Sequence, residues 1–193
     1  MAKALVVVAH PDDETIWMGG MILKNKNWDF TILSLCRASD TDRAPKFKKV
    51  CDYYGAKSII LDLEDDRLNP VNINKIVGLI KNNLPEFKYD YIFTHGKNGE
   101  SGHVRHKEIH EAVCNMIKKG ILKTKKVLFF SYEKRENNFQ GYAIYNSNAN
   151  MFIKLDDEEL SLKKKFITEI YGYQKGGFEE KSSGETEAFD KLK

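Results

Sequence analysis

Five short apolar runs separated by helix-length segments constrain this chain more than any other feature of its sequence. The runs cover residues 4–9, 30–36, 58–63, 91–94 and 127–131. They are rich in Val, Ile, Leu and Phe and show little polar/apolar alternation, the pattern of strands buried on both faces. Between them, residues 15–25, 46–54, 71–83 and 104–118 read as helices, with Phe47, Val50, Cys51 and Tyr54 falling on one face of the second. Gly55 is placed to end that helix and Pro85 the next. Strand and helix in alternation predict an α/β fold, a Rossmann-like, doubly wound, mostly parallel sheet of about five to six strands with helices on both faces. Residues 151–155 are expected to add a strand and 160–171 a helix, whereas 133–150 carry only weak signals. Gly19-Gly20, costly inside a helix, marks close packing against the sheet. Residues 1–178 are read as one domain, and 179–193 as a polar tail lying loosely on the surface.

Composition narrows the function classes. A chain of 193 residues has room for one substantial core. Its net charge is only +3 and its lysines are scattered among acids, so the concentrated basic face of a nucleic-acid binder is missing. Cys36, Cys51 and Cys114 are odd in number and lack CxxC pairing, which argues against a disulfide framework or a thiolate metal site. No apolar run approaches the ~20 residues of a membrane span. The first strand feeds an acidic turn rather than a small-residue cleavage site, so a cytoplasmic location without a secretory leader is expected.

The first apolar run ends in His10-Pro11-Asp12-Asp13-Glu14. Ligands bind outside the carboxyl ends of strands in open α/β sheets, at the point where strand order reverses. Four further histidines, His95, His103, His106 and His110, follow the fourth run within sixteen positions. In one common strand order the first and fourth strands are neighbours, which brings both groups to one place. Two imidazoles and a carboxylate with an open position make a catalytic zinc site. Adjacent aspartates diverge, so one of Asp12 and Asp13 is expected to ligate and the other to act as general base. Read alone, these acids suit a helix start equally well. The spacings His103/His106 and His106/His110 each permit a shared helix face, and HExxH is absent. His110 by itself reads as a packing residue, and His95 as lining the site or hydrogen-bonded beneath it.

Ala9-His10-Pro11-Asp12-Asp13-Glu14, Phe93-Thr94-His95-Gly96 and Gly102-His103-Val104-Arg105-His106 resemble the LmbE-like, or PIG-L, zinc-dependent de-N-acetylases, over most of residues 4–115. The resemblance implies that His10, Asp13 and His106 bind Zn2+ and that Asp12 is the general base. It gives His103 the oxyanion or the leaving amine, and Arg43 the substrate, with Asp65 a sugar-contacting candidate. The implied substrate is a small N-acetylated sugar or glycoconjugate of the GlcNAc type.

Two positions depart from the family pattern. Arg105 stands where many members carry an acid that orients the histidine at position 103, so another group, with Glu100 the candidate, takes that job or the pKa of His103 is lower. Lys46 occupies a position that is often Glu, and the chain is short enough to reduce the C-terminal part of a pocket. The same ligand types also suit Fe2+ in a non-haem oxygenase, although an adjacent second carboxylate has a ready task only in hydrolysis. A non-catalytic sugar binder on this scaffold is the third reading. No GxGxxG follows the first strand, and an acidic turn repels a pyrophosphate. Whether the chain forms a homo-oligomer is left open.

Overall fold

A computed structural model gives the structure of residues 1–135 and 141–192. The expected strands are present as β1 (Lys3–Val8), β2 (Asp29–Ser34), β3 (Lys57–Ile60), β4 (Lys88–Thr94) and β5 (Lys123–Phe130). The helices joining them are α1 (Asp13–Lys24), α2 (Arg43–Tyr54), α3 (Ile73–Asn83) and α4 (Val104–Lys118). Beyond them come β6 (Tyr132–Lys134), β7 (Ala143–Tyr145), β8 (Met151–Lys154), α5 (Asp157–Lys165), a π-helical turn at Phe166–Ile170, α6 (Phe178–Ser182) and β9 (Thr186–Lys191). The main sheet has the order β3-β2-β1-β4-β5-β9-β8, and β6 pairs with β7 in a separate two-stranded sheet. Strands β1 to β5 are parallel, while β9 runs antiparallel to both β5 and β8.

Strand β1 shows why these runs carry no polar alternation. Ala4, Val6 and Val8 face a core built with Phe47, Val50 and Cys51 of α2 and Phe166 and Ile167 of the π turn. Leu5, Val7 and Ala9 face the opposite core, with Ile76 and Ile80 of α3 and Ile109, Val113 and Met116 of α4. Both sides of the strand are covered from Ala4 to Ala9, so every position there is apolar. With β2 on one side and β4 on the other, β1 stands at the reversal of strand order. Its carboxyl end therefore opens into the crevice where this fold binds ligands.

Two expectations need correction. The sheet has seven strands rather than five or six, and the described part of the region read as a loose tail is folded. Residues 186–191 form β9, wedged between β5 and β8, and Phe178–Ser182 form α6; Lys193 lies outside the described residues. Strand β9 was illegible because Ala188 and Phe189 are its only buried apolar residues. Its third buried side chain is Glu187, whose partners are remote in sequence. Helix α5 also starts earlier than residue 160, at a capping box in which Asp156 and Glu159 each accept the other's backbone N–H.

Glu187 explains a break in α1. The helix is interrupted at Met18 (φ −148°, ψ 18°), so its second half starts anew at Gly19-Gly20 with amides lacking helical partners. The Glu187 carboxylate, fully buried, accepts the N–H of Gly20 at 2.7 Å and of Met21 at 2.8 Å. Lys163 Nζ of α5, also fully buried, completes the site at 2.7 Å. Gly20 permits the approach: a Cβ there would lie 2.5 Å from Leu155, just after β8, and one at Gly19 would lie 2.9 Å from the Tyr54 hydroxyl of α2. The packing is close, as expected, but against these two side chains.

Removing one member of a buried ion pair strands its partner's charge, at a cost of about 3–5 kcal/mol. Glu187→Gln should therefore lower stability by that order in urea unfolding. Lys163→Met should cost less, since two helix-terminal amides still hold the carboxylate. Equal losses from the two would contradict this division.

Candidate active site

His10 leaves β1 at the carboxyl end of the sheet, two residues past Val8, and the chain turns sharply into α1. The turn is made by Asp12 at φ +120°, a conformation L-residues rarely adopt. In return, its carbonyl accepts the N–H of Thr15 at 2.9 Å and Ile16 at 2.8 Å. Its own N–H donates to the fully buried Glu14 carboxylate at 3.0 Å, which also accepts the hydroxyls of Thr15 and Tyr171. Arg37 and Glu100, two of the other non-glycine residues at positive φ, flank the same crevice. Strain gathered in this way is a feature of functional sites.

Three donor atoms converge here. His10 Nδ1 and Asp13 Oδ2 are 3.3 Å apart, His106 Nε2 and Asp13 Oδ2 3.4 Å, and His106 Nε2 and His10 Nδ1 3.3 Å. Two donors bonded at ordinary zinc distances to one tetrahedral ion are separated by about 3.4 Å, so this triangle fits such an ion. Other donors approach within 4.8 Å, in the groups His10/His103/His106, Asp13/His95/His106 and His10/Cys36/Asp65. Their hydrogen bonds and protons set them aside. His95 Nε2 accepts the Ala9 N–H at 2.9 Å, and His103 Nδ1 accepts the Arg105 N–H at 3.3 Å as the cap of α4. Burial pushes the Cys36 thiol up, away from a thiolate.

The surrounding residues fix the orientation of each donor. Glu100 Oε2 sits 2.9 Å from His95 Nδ1 and 2.6 Å from His106 Nδ1. Both imidazoles donate to it, which leaves the His106 Nε2 lone pair free to bind a metal. Burial would lift the Glu100 carboxyl, but the two histidines hold it down at about 2. Asp65 Oδ2 accepts from His10 Nε2 at 3.1 Å and from Arg37 Nη2 at 2.7 Å, which directs His10 Nδ1 at the centre. Trp17 Nε1 donates to Asp13 Oδ1 at 2.8 Å, turning Oδ2 inward. Burial opposes ionisation of Asp13, yet His106, His95 and His10 together hold its carboxyl well below the usual range.

His10, Asp13 and His106 line a cleft of about 250 Å³ with Asp12, His103, Arg43 and Tyr173. Burial, with Asp13 beside it, raises the Asp12 carboxyl well above the ordinary value, the direction that makes a carboxylate a better base. Burial and the neighbouring His106 and His10 push His103 down to about 4. His103 is thus a neutral ring with its proton on Nε2.

All seven residues singled out in the sequence, His10, Asp12, Asp13, Arg43, Asp65, His103 and His106, line this one cleft. Arg43 is the first residue of α2, which starts three residues ahead of the expected position 46, and lies 3.5 Å from Asp12 Oδ2. Asp65 is held against His10 and Arg37. Glu100 orients His95 and His106 rather than His103, which is held by its helix cap; of the two alternatives offered for His103 the lowered pKa is the one that agrees with its surroundings. Arg105 turns away from His103: fully buried, it binds Glu64, the Asn69 carbonyl and Glu108, pinning the β3–α3 loop that carries Asp65. His95 lies beneath His106, stacked at 3.8 Å, and His110 packs on Phe129 with Nδ1 2.8 Å from the His95 carbonyl. Sequence reasoning missed Arg37, Trp17 and Tyr173. Trp17 stands four residues after Asp13 on α1 and was detectable by helical spacing, whereas nothing local marks Tyr173.

The chain is similar to several known proteins. An uncharacterised protein of Acanthamoeba polyphaga mimivirus, L374, is 28% identical over an alignment 130 residues long that covers 60% of this chain and 58% of that one. The chain thus spans less than two thirds of that relative. The N,N'-diacetylchitobiose deacetylase of Pyrococcus horikoshii superposes with TM-score 0.67 at 17% identity, over 99% of this chain and 84% of the other. The conserved protein TT1542 of Thermus thermophilus gives 0.66 at 16%, over 98% and 94%. The 4-carboxy-2-hydroxymuconate hydratase of Pseudomonas putida gives 0.63 at 14%, over 100% and 97%. At these identities the likeness is one of fold, and a hydratase among the neighbours shows that the fold alone does not select a reaction. The sequence profile described as PIG-L, GlcNAc-PI de-N-acetylase, is more specific: it matches residues 5–117, more than half of the chain, which therefore belongs to that family.

Proposed function

We propose that this protein is a zinc-dependent hydrolase that removes an N-acetyl group from a small GlcNAc-type sugar or glycoconjugate. The carrying observation is the triangle of His10 Nδ1, Asp13 Oδ2 and His106 Nε2 with a second carboxylate, Asp12, beside it in the same cleft. Bound there, zinc would acidify a water and polarise the acetyl carbonyl. Asp12 takes the proton from that water and returns it to the departing amine. His103 donates from Nε2 to the acetyl oxygen as it gains charge; burial disfavours the charged form of its ring. Arg43 and Phe178, on the cleft wall, are placed to hold the sugar.

An iron oxygenase would leave Asp12 without a task, which favours hydrolysis over that reading. No helix among the described residues is long and apolar enough to cross a membrane. Three free cysteines suit a reducing compartment, which supports a cytoplasmic site of action.

The test combines zinc quantification with acetate release from a panel of N-acetylglucosaminyl compounds. Asp12→Asn should retain zinc and lower kcat roughly 10²–10⁴-fold; unchanged turnover would remove Asp12 from this role. Glu100→Gln, which disturbs the carboxylate shared by His95 and His106, should weaken zinc affinity about 10–100-fold in a chelator competition. Wild-type affinity in that variant would show that Glu100 does not set the ligand geometry.

A further inference from the structure

The segment after the π turn returns to the acidic turn at two points. Tyr171, fully inside, donates to Glu14 Oε1 at 2.7 Å, and Tyr173 donates its phenol O–H to Asp12 Oδ2. Tyr173 is placed by its own N–H, which donates to the Ile167 carbonyl at 3.0 Å, and by Arg43, whose guanidinium lies 5.4 Å over its ring. The same Arg43 approaches Asp12 Oδ2 at 3.5 Å. The two carboxylate oxygens of Asp12 are therefore unequal. Oδ2 faces two donors, while Oδ1 has no partner among the described residues. Asp12 is 5% exposed and lines the cleft.

We infer that Tyr173 is the positioning residue of the general base: its phenol locks Asp12 Oδ2, so that Oδ1 is the oxygen that takes and returns the proton. The inference rests on the hydrolytic reading above. A carboxylate at the end of one χ2 torsion rotates freely unless one oxygen is tethered, and a base that rotates away loses the alignment on which proton transfer depends. Tyrosine suits the task because its hydroxyl donates while the ring, wedged beneath Arg43, resists displacement. Tyr173 reaches the site from outside the segment that matches the family profile. In the reaction it neither gains nor loses a proton; the water's proton moves to Asp12 Oδ1 and from there to the amine nitrogen as the C–N bond breaks.

The test uses the zinc-loaded protein and Tyr173→Phe. A hydrogen bond to a charged group of ordinary strength predicts a kcat about 10–100-fold lower, with KM within about twofold and zinc content unchanged. Because Tyr173 acts through Asp12, Tyr173→Phe should slow the Asp12→Asn protein no further. A readout independent of substrate is the tyrosine Cζ resonance of carbon-13-labelled protein, assigned by its absence from Y173F or, if that variant is unstable, Y173W. It should move in Asp12→Asn. An effect on KM alone, an equal loss in the D12N background, loss of zinc in Y173F or an unmoved resonance would each overturn the inference. Should D12N turn over normally, the hydrolytic reading itself falls; if D12N is inactive and Y173F is not slowed, only the role of Tyr173 falls.

Discussion

Everything around the cleft serves one costly arrangement: two imidazole nitrogens and a carboxylate oxygen held within 3.4 Å of one another. Left to themselves, such groups would rotate apart or pair through a shared proton. Here each has a second anchor on its far side, Glu100 behind His106, Asp65 behind His10 and Trp17 behind Asp13. These anchors are in turn fixed. Glu100 accepts the Gly96 N–H at 2.7 Å, and Asp65 sits on a loop that Arg105 and Glu108 tie to α4. Preorganisation of this depth is what a metal site requires, because ligands that must first be gathered lose affinity in the gathering.

The acids are divided by surroundings rather than by kind. Asp12 and Asp13 are consecutive and both buried, yet three histidines favour the charge on Asp13 while burial and its neighbour disfavour it on Asp12. Adjacent groups whose environments push them apart can take separate chemical tasks. The strained backbone at Asp12 contributes to the same end, since φ of +120° sends its side chain into the cleft while its carbonyl caps α1.

Much of this was readable from the chain. The parallel strands advertise themselves because burial on both faces removes polar residues from the pattern, and the histidines and acids fall where strands one and four end. Legibility stopped where partners are distant. The role of Glu100 depends on a left-handed turn (φ 54°) that folds its carboxylate back onto two rings. Arg105, a departure from the family pattern, is long enough to pass His103 and grip the neighbouring loop, so its effect falls on Asp65. Strand β9 has two buried apolar residues, and its third inward side chain is an acid made tolerable by Lys163, 24 positions away. No local pattern signals a strand that depends on an ion pair across that gap.

Glu187 also has a consequence for the order in which the molecule can be built. The second half of α1 is fastened by a carboxylate 167 residues downstream, and the first half carries Asp13 and Trp17. On the ribosome, the five parallel strands and His10, Asp13 and His106 emerge well before β9. Until β9 slots between β5 and β8, the amides of Gly20 and Met21 lack their partner and one edge of β5 has no neighbour. A chain paused before residue 186 thus holds the complete donor set on an unfinished support, and β9 is the piece whose arrival completes the fold beneath the site.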